Sequence, residues 1–351
     1  MTSSTTDAPS KDVDPAPGST TTSGGGPLAV LKRAFGMEAA SVLVATVALI
    51  LVIGAIHPDF LDPRQLRDVL QQSVYVAVLA AGVAFLLAMR EIDLSVGAMF
   101  GLTLICSAML MRDGWNPWIA VLAGIVLGAL LGLANAVIVQ VFKIPAIVAT
   151  LATLSMFRGL SLALSNGQQV VGLPLDHAFF EIFGGRVLGI PVSVIVLVVL
   201  AVVLTFVLRT TPFGYRVRSI GSNPDAAAFS GISVAKVRIQ ALMLMGGLAG
   251  LAGMLGLAYF GSGDPNIGSG FELLAIAAAV IGGTALRGGS ATVVGAMLGA
   301  ILLSVVTSGL VYFDIPVNWS SFATGAVILI AVGIDSLLRR RREARASAAG
   351  L

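Results

Sequence analysis

The chain has 351 residues, of which 57% are hydrophobic and only 11% are charged. Soluble domains carry about 25% charged residues, so an ordinary soluble enzyme is excluded, and the same hydrophobicity excludes a disordered chain. One cysteine, Cys106, excludes a disulfide framework or cysteine-rich metal site, and a net charge of +3 is too small to call for nucleic acid.

Residues 1–27 are rich in Ser, Thr, Pro, Gly and Asp and read as a disordered cytoplasmic tail rather than a signal peptide. Roughly 20 apolar residues cross a bilayer, and charge-free runs of that kind then follow one another. They are Ala39–Ile56, Val69–Met89, Leu94–Met111, Gly114–Phe142, Ile144–Phe157 (continuing past Arg158 to Leu164), Val187–Leu208, Ile239–Gly263, Leu273–Leu286, Gly288–Phe313 and Ile315–Ile334. The runs are continuous rather than alternating, which excludes a β-barrel. The 41 glycines predict close helix packing. The expected fold is an all-α polytopic membrane protein of about ten transmembrane helices over residues 28–338, followed by a basic cytoplasmic tail at 339–351.

Orientation follows from the Lys/Arg bias. With a cytoplasmic N-terminus and every run spanning, 16 of the 21 Lys and Arg fall inside, four outside, and Arg158 lies within a span. Both termini are then cytoplasmic.

Catalysis needs titratable groups gathered together. His57 and His177 sit apart in outer connections and read as solvated side chains. No spacing fits a metal site, and the sequence contains neither a phosphate loop nor a nucleophile elbow. The sequence therefore shows no means of hydrolysing ATP, and if such a chain moves solute with energy, that energy comes from a gradient or from another subunit.

The longest inner connection covers residues 209–237. Within it Asn223-Pro224-Asp225-Ala226-Ala227-Ala228-Phe229-Ser230-Gly231 reads as a short helix with both ends marked. Asn223 suits the N-cap, Pro224 the first helical position, Asp225 the positive end, and Gly231 the stop. Ser233 is expected to cap the next helix. Such a helix either docks in a partner's groove or merely closes the loop.

Five blocks in order resemble one family. They are Glu91-Ile92-Asp93-Leu94-Ser95-Val96-Gly97; Lys143-Ile144-Pro145 through Thr150 and Thr153 to Arg158-Gly159-Leu160; Phe213-Gly214 through Ile220-Gly221, Asn223, Ala226-Ala227 and Ser230-Gly231-Ile232; Gly263-Asp264-Pro265-Asn266 with Gly270-Phe271-Glu272-Leu273; and Ile281-Gly282-Gly283-Thr284 with Gly288-Gly289 and Gly295. Together they resemble the permease subunits of bacterial ATP-binding-cassette importers for simple sugars, the branch that takes ribose, xylose and autoinducer 2. The resemblance runs from about residue 60 to 337. Arg90-Glu91 departs from it, standing where the motif is glycine-rich, and Ala146 and Arg287 depart as well.

The resemblance implies a type II importer fold working by alternating access in the bacterial inner membrane. It implies a second permease copy or paralogue, a cytoplasmic ATPase that docks on Asn223–Gly231 and carries ATP with magnesium, and an extracytoplasmic sugar-binding protein. The chain itself then binds no cofactor. It is a transporter subunit without an ATPase site of its own.

Polar groups inside lipid are costly and often functional. The candidates for the pathway or gate are Gln72, Tyr75, Thr150, Thr153, Arg158, Asn266, Glu272, Gly282, Gly283 and Thr284. Each has a plainer reading. Gln71, Gln72, Ser73 and Tyr75 form either a polar mouth or a helix interface. Thr150 and Thr153 share a helix face that can equally pack on a neighbour. Arg158 is a gate charge or a helix anchor, and Glu272 a helix cap or a contact for the binding protein. Gly282-Gly283-Thr284 is a broken helix near a site or a tight inner turn. Asp93 is expected to cap the third span, and Asn135 to tie helices together. The alternative to an ATP-driven importer is a gradient-driven secondary transporter. Asp93, Asp264, Glu272 and Asp314 count against it, because all lie at loops or span ends rather than mid-membrane.

Overall fold

The structure, a computed structural model, describes residues 37–316 and the isolated positions Trp319, Phe322, Gly325, Ala326, Leu329 and Gly333. The tails expected at 1–27 and 339–351, and most of the tenth run, Ile315–Ile334, lie outside the described residues.

Nine of the ten apolar runs appear as helices. They are α1 (Met37–Ile56), α2 (Pro63–Ala88), α3 (Val96–Arg112), α4 (Pro117–Phe142) and α5 (Ala146–Leu164), then α7 (Val192–Thr210), α10 (Val234–Phe260), α11 (Phe271–Ile281) and α12 (Val293–Tyr312). Seven of these are long and apolar enough to cross a membrane, while α3 and α11 are shorter. Three connecting helices were not anticipated as membrane runs: α6 (Ala178–Phe183), α8 (Pro212–Ser222) and α9 (Pro224–Phe229). The run expected from Val187 begins as helix only at Val192. Its first residues instead form a small antiparallel hairpin, β1 (Arg186–Val187) with β2 (Ile190–Pro191).

The sequence punctuates these helices with one repeated device. At α2, α4, α8 and α9 a capping residue precedes a proline: Asp62-Pro63, Asn116-Pro117, Thr211-Pro212 and Asn223-Pro224. In each pair the cap side chain accepts a backbone N–H from the first turn. The proline lacks the N–H that a first turn leaves unpaired, and its fixed φ suits that position. Left-handed residues close α4 and α10, Lys143 (φ 53°) after the first and Gly261 (φ 62°) after the second.

Helix α2 is the axis of the bundle. It is buried from Ser73 to Ala88, with α7, α10, α11 and α12 against it. Beside it α4 and α10 cross closely. Gly124, Gly128 and Gly132 recur every four residues, and a β-carbon on Gly128 or Gly132 would overlap the Gly246 or Leu242 carbonyl. Lipid offers helices little hydrophobic drive to associate, so close backbone approach supplies the attraction. The outer helices present bare apolar side chains, among them Leu151 and Met156 on α5 and Val202 and Phe206 on α7.

Candidate functional site

The first feature is the segment between α7 and α10. Helix α8 opens at Thr211, whose hydroxyl accepts the Gly214 N–H at 3.2 Å, and it buries Val217 and Ile220. Asn223 ends α8 and begins α9, its side chain accepting the Ala226 N–H at 3.0 Å. The short helix expected over Asn223–Gly231 is therefore present. Pro224 and Asp225 occupy its first turn and Ser230 its C-cap, and Gly231 has φ 83°. Ala227 faces inward, whereas Phe229 is 93% exposed. Asp225, Ala226 and Ala228 are exposed beside it. Ser233 holds the N-cap position of α10 as expected, but its side chain makes no capping bond.

The second feature is the turn Met89–Ser95 between α2 and α3, on the same face. Asp93 was expected to cap α3, but the N-cap is Ser95. Asp93 instead sits two residues before that N-cap, 1% exposed, and accepts both the Ser95 N–H (2.8 Å) and the Ser95 hydroxyl (2.6 Å). Asn135 of α4 donates to Asp93 at 3.3 Å and to Ser95 Oγ at 2.8 Å, which is the helix-tying role expected of it. Burial pushes the Asp93 carboxyl up from its ordinary value, and these hydrogen bonds pull it back. Thr150 joins the same turn, accepting the Leu94 N–H at 3.0 Å and donating to Ala146 O at 2.8 Å. Thr153 is buried above it and donates to Thr150 O at 3.3 Å.

A third cluster gathers Arg158, Asn266 and Glu272 beside the start of α3. Arg158 Nη2 donates to the Asn266 carbonyl at 3.3 Å. The Asp264 side chain holds the Asn266 N–H at 2.8 Å. Glu272 stands in the first turn of α11, and its carboxylate lies over Gly97, where a β-carbon would overlap it. Residues picked from two separate motifs, Arg158 from one and Asn266 and Glu272 from the other, thus come together.

Other candidates lie apart. The Tyr75 hydroxyl accepts from Gln71 Nε2 at 2.9 Å, and Gln71 Oε1 accepts from Ser193 of α7 at 2.5 Å. That places Tyr75 in a buried helix-to-helix link. Gln72 is exposed. It lines a cavity of about 630 Å³ between α2 and α12 with Gln65, Thr307, Ser308, Tyr312 and Asp314. Gly282 crosses the first turn of α12 so closely that its β-carbon would overlap Gly295. Gly283 has φ 92°, and buried Thr284 accepts the Thr292 N–H at 3.4 Å.

Reasoning from sequence missed α8, although Thr211-Pro212 and the spacing of Phe213, Val217 and Ile220 signal it. It also read His177 as a solvated side chain, whereas Nδ1 accepts the Phe179 N–H at 3.2 Å and caps α6.

These features define a multi-pass α-helical membrane protein with a short capped helix displayed on one face. Residues 65–332 match the family described as branched-chain amino acid transport system, permease component, and the chain belongs to that family. It is 36% identical over 288 residues to the ribose import permease protein of Bacillus subtilis, covering 82% of this chain and 89% of that one. It is 37% identical over 302 residues to the autoinducer 2 import system permease protein of Salmonella typhi, covering 86% of each. To the ribose import permease protein of Escherichia coli K12 it is 35% identical over 306 residues, 87% of this chain and 95% of that one. No solved structure matches the chain.

Proposed function

We propose that the chain is the membrane subunit of an ATP-driven importer for a simple sugar, in the bacterial inner membrane with both termini cytoplasmic. The observation that carries this reading is the similarity to ribose and autoinducer 2 import permeases along more than four-fifths of the chain. The family's description speaks of branched-chain amino acids, but the relatives matched here carry names for ribose and autoinducer 2.

On this reading α9 is the cytoplasmic helix on which the ATPase docks. Asn223, Pro224, Asp225, Ala226, Ala227, Ser230 and Gly231 build its shape, and Phe229 is the side chain a partner's groove would take. An exposed aromatic at the tip of a capped helix suits such a groove, since aromatics commonly dominate interface energies. ATP and magnesium belong to the partner. Closure of the partner dimer moves α9, and a pair of permeases alternates between inward and outward access. Arg158, Asn266 and Glu272 then form one cluster of pathway or gate candidates, and a binding protein delivers its sugar at the outer face. Gln72, Tyr75, Thr150, Thr153, Gly282, Gly283 and Thr284 are the remaining pathway or gate candidates. Among them exposed Gln72 has the best access to solute, and buried Tyr75, Thr150 and Thr153 act through helix packing. Residues 1–27 and 339–351 are cytoplasmic tails flanking the permease domain at 28–338.

The test is uptake of labelled ribose, xylose and other monosaccharides by native-membrane vesicles, with and without ATP. Uptake that needs ATP and survives a proton uncoupler supports the importer. Uptake abolished by the uncoupler and indifferent to ATP overturns it.

A further inference from the structure

Arg90 and Glu91 stand at the end of α2, where the resembled motif is glycine-rich, and nothing above gives them a task. Arg90 has a left-handed backbone, φ 65°, which is uncommon outside glycine. From there its guanidinium reaches the end of α8. Nε donates to the Gly221 carbonyl at 2.6 Å and Nη2 to the Ser222 carbonyl at 2.8 Å. These are the last carbonyls before Asn223, which caps α9. A cation on the free carbonyls of a helix end gains both hydrogen bonds and a favourable dipole. The junction is tight on every side. A β-carbon on Gly221 would overlap the Ala88 carbonyl, and one on Gly288 would press on Arg90 Cγ. The Gly289 N–H donates to that same Ala88 carbonyl at 2.9 Å.

Glu91 points to the other side of the segment. Its carboxylate accepts from Arg238 Nε at 2.7 Å, and the two side chains are only 13% and 26% exposed. Exposed pairs contribute little, but a pair this withdrawn from water resists parting. Arg238 belongs to the beginning of α10, the helix that follows α9. Adjacent residues of one turn therefore hold the chain on both sides of α9. The same turn then reaches inward, through Leu94 to Thr150 of α5 and through Asp93 and Ser95 to Asn135 of α4.

Resting on the importer reading above, we propose that Arg90 and Glu91 are positioning residues that transmit movement of α9 into the membrane helices. Neither touches nucleotide or solute. Because the chain is gripped before and after α9, a displacement of α9 shifts the Met89–Ser95 turn instead of bending its own connections. The shift passes to α2 and α3, which the turn joins, and to α4 and α5, which it bonds.

The test uses the tagged full-length chain with its co-purifying subunits, reconstituted in liposomes, measuring ATP hydrolysis and uptake of whichever labelled monosaccharide the unaltered complex transports. Arg90→Gln and Glu91→Gln each keep the ATPase subunit and its hydrolysis within about twofold. Each lowers sugar moved per ATP by about tenfold, the scale of an ordinary coupling between sites. The charge-exchanged pair Glu91→Arg with Arg238→Glu restores most of that ratio. A purely structural role would lower assembly, hydrolysis and uptake in proportion, leaving sugar per ATP unchanged. That result, or an exchanged pair no better than the single variants, overturns the proposal. If the unaltered complex shows no ATP-driven uptake, the importer reading itself has failed. If it does and the variants couple normally, only the role of Arg90 and Glu91 has failed.

Discussion

Gly128 of α4 and Gly246 of α10 face each other with no room for a side chain on either, since a β-carbon at each position would overlap the other's carbonyl oxygen. The contact extends to Gly124 with Gly250, and to Gly132 with Leu242. Backbone cannot step aside as a side-chain tip can, so the crossing depends on both glycines. Gly128→Val or Gly246→Val should destabilise the protein by about 1–3 kcal/mol or more, the usual cost of overpacking. Cys106, the sole cysteine and half-buried, supplies the readout. Its labelling by a thiol-reactive dye during heating should begin at clearly lower temperature in either variant. An unshifted transition would mean that the crossing tolerates a side chain.

Asn135 sits at the other end of that energetic scale, with a polar contact in place of a packing one. Its side-chain amide reaches both Asp93 and Ser95. Asn135→Leu takes a donor from a buried carboxylate, which costs about 1.5–3 kcal/mol. Adding Asp93→Leu should recover part of that loss, because the unpaired charge is then gone. The same dye assay decides, and losses that simply add would contradict a direct bond between the two side chains.

Phe229 is 93% exposed and packs on little within its own chain. Phe229→Ala should therefore leave the thermal transition in place. It should lower the ATPase recovered with the tagged chain by about tenfold, as for the loss of an interface anchor. A lowered transition with full ATPase recovery would reverse the assignment.

Gly231 turns the chain from α9 toward α10 at φ 83°, and proline is fixed near −65°. Gly231→Pro should abolish uptake while the protein still inserts and hydrolysis continues in the complex. Asp225→Arg should weaken the same coupling by placing positive charge at the positive end of α9. Normal uptake in both variants would remove α9 from the mechanism.

Much of this fold is legible in the sequence because lipid imposes a simple rule. A spanning helix must be apolar along its whole length, so runs such as Gly114–Phe142 coincide closely with α4. The cap-and-proline pairs mark helix starts, as at Asn223-Pro224. Elements outside lipid obey no such rule. Helix α8 carries charge between its apolar positions, so apolarity alone reads it as loop. The hairpin before α7 is indistinguishable from the apolar run, because Val187 and Ile190 are as apolar as the helix that follows. The site was legible only in pieces. Polarity marks each of Arg158, Asn266 and Glu272, but their meeting depends on how α5 and α11 each pack on α3. The grip of Arg90 on Gly221 and Ser222 spans more than 130 residues of sequence, so its partners have no local signal and only the departure of Arg90-Glu91 from the glycine-rich motif marks it.

The importer account is tested most directly by affinity capture of the tagged, gently solubilised and crosslinked chain from its native membrane, with the co-eluting proteins identified by mass spectrometry. The account predicts an ATPase bearing a phosphate-binding loop in the eluate, together with a second permease copy or paralogue and a sugar-binding protein. A chain that elutes alone, and that takes up solute in liposomes from an ion gradient without ATP, would contradict it.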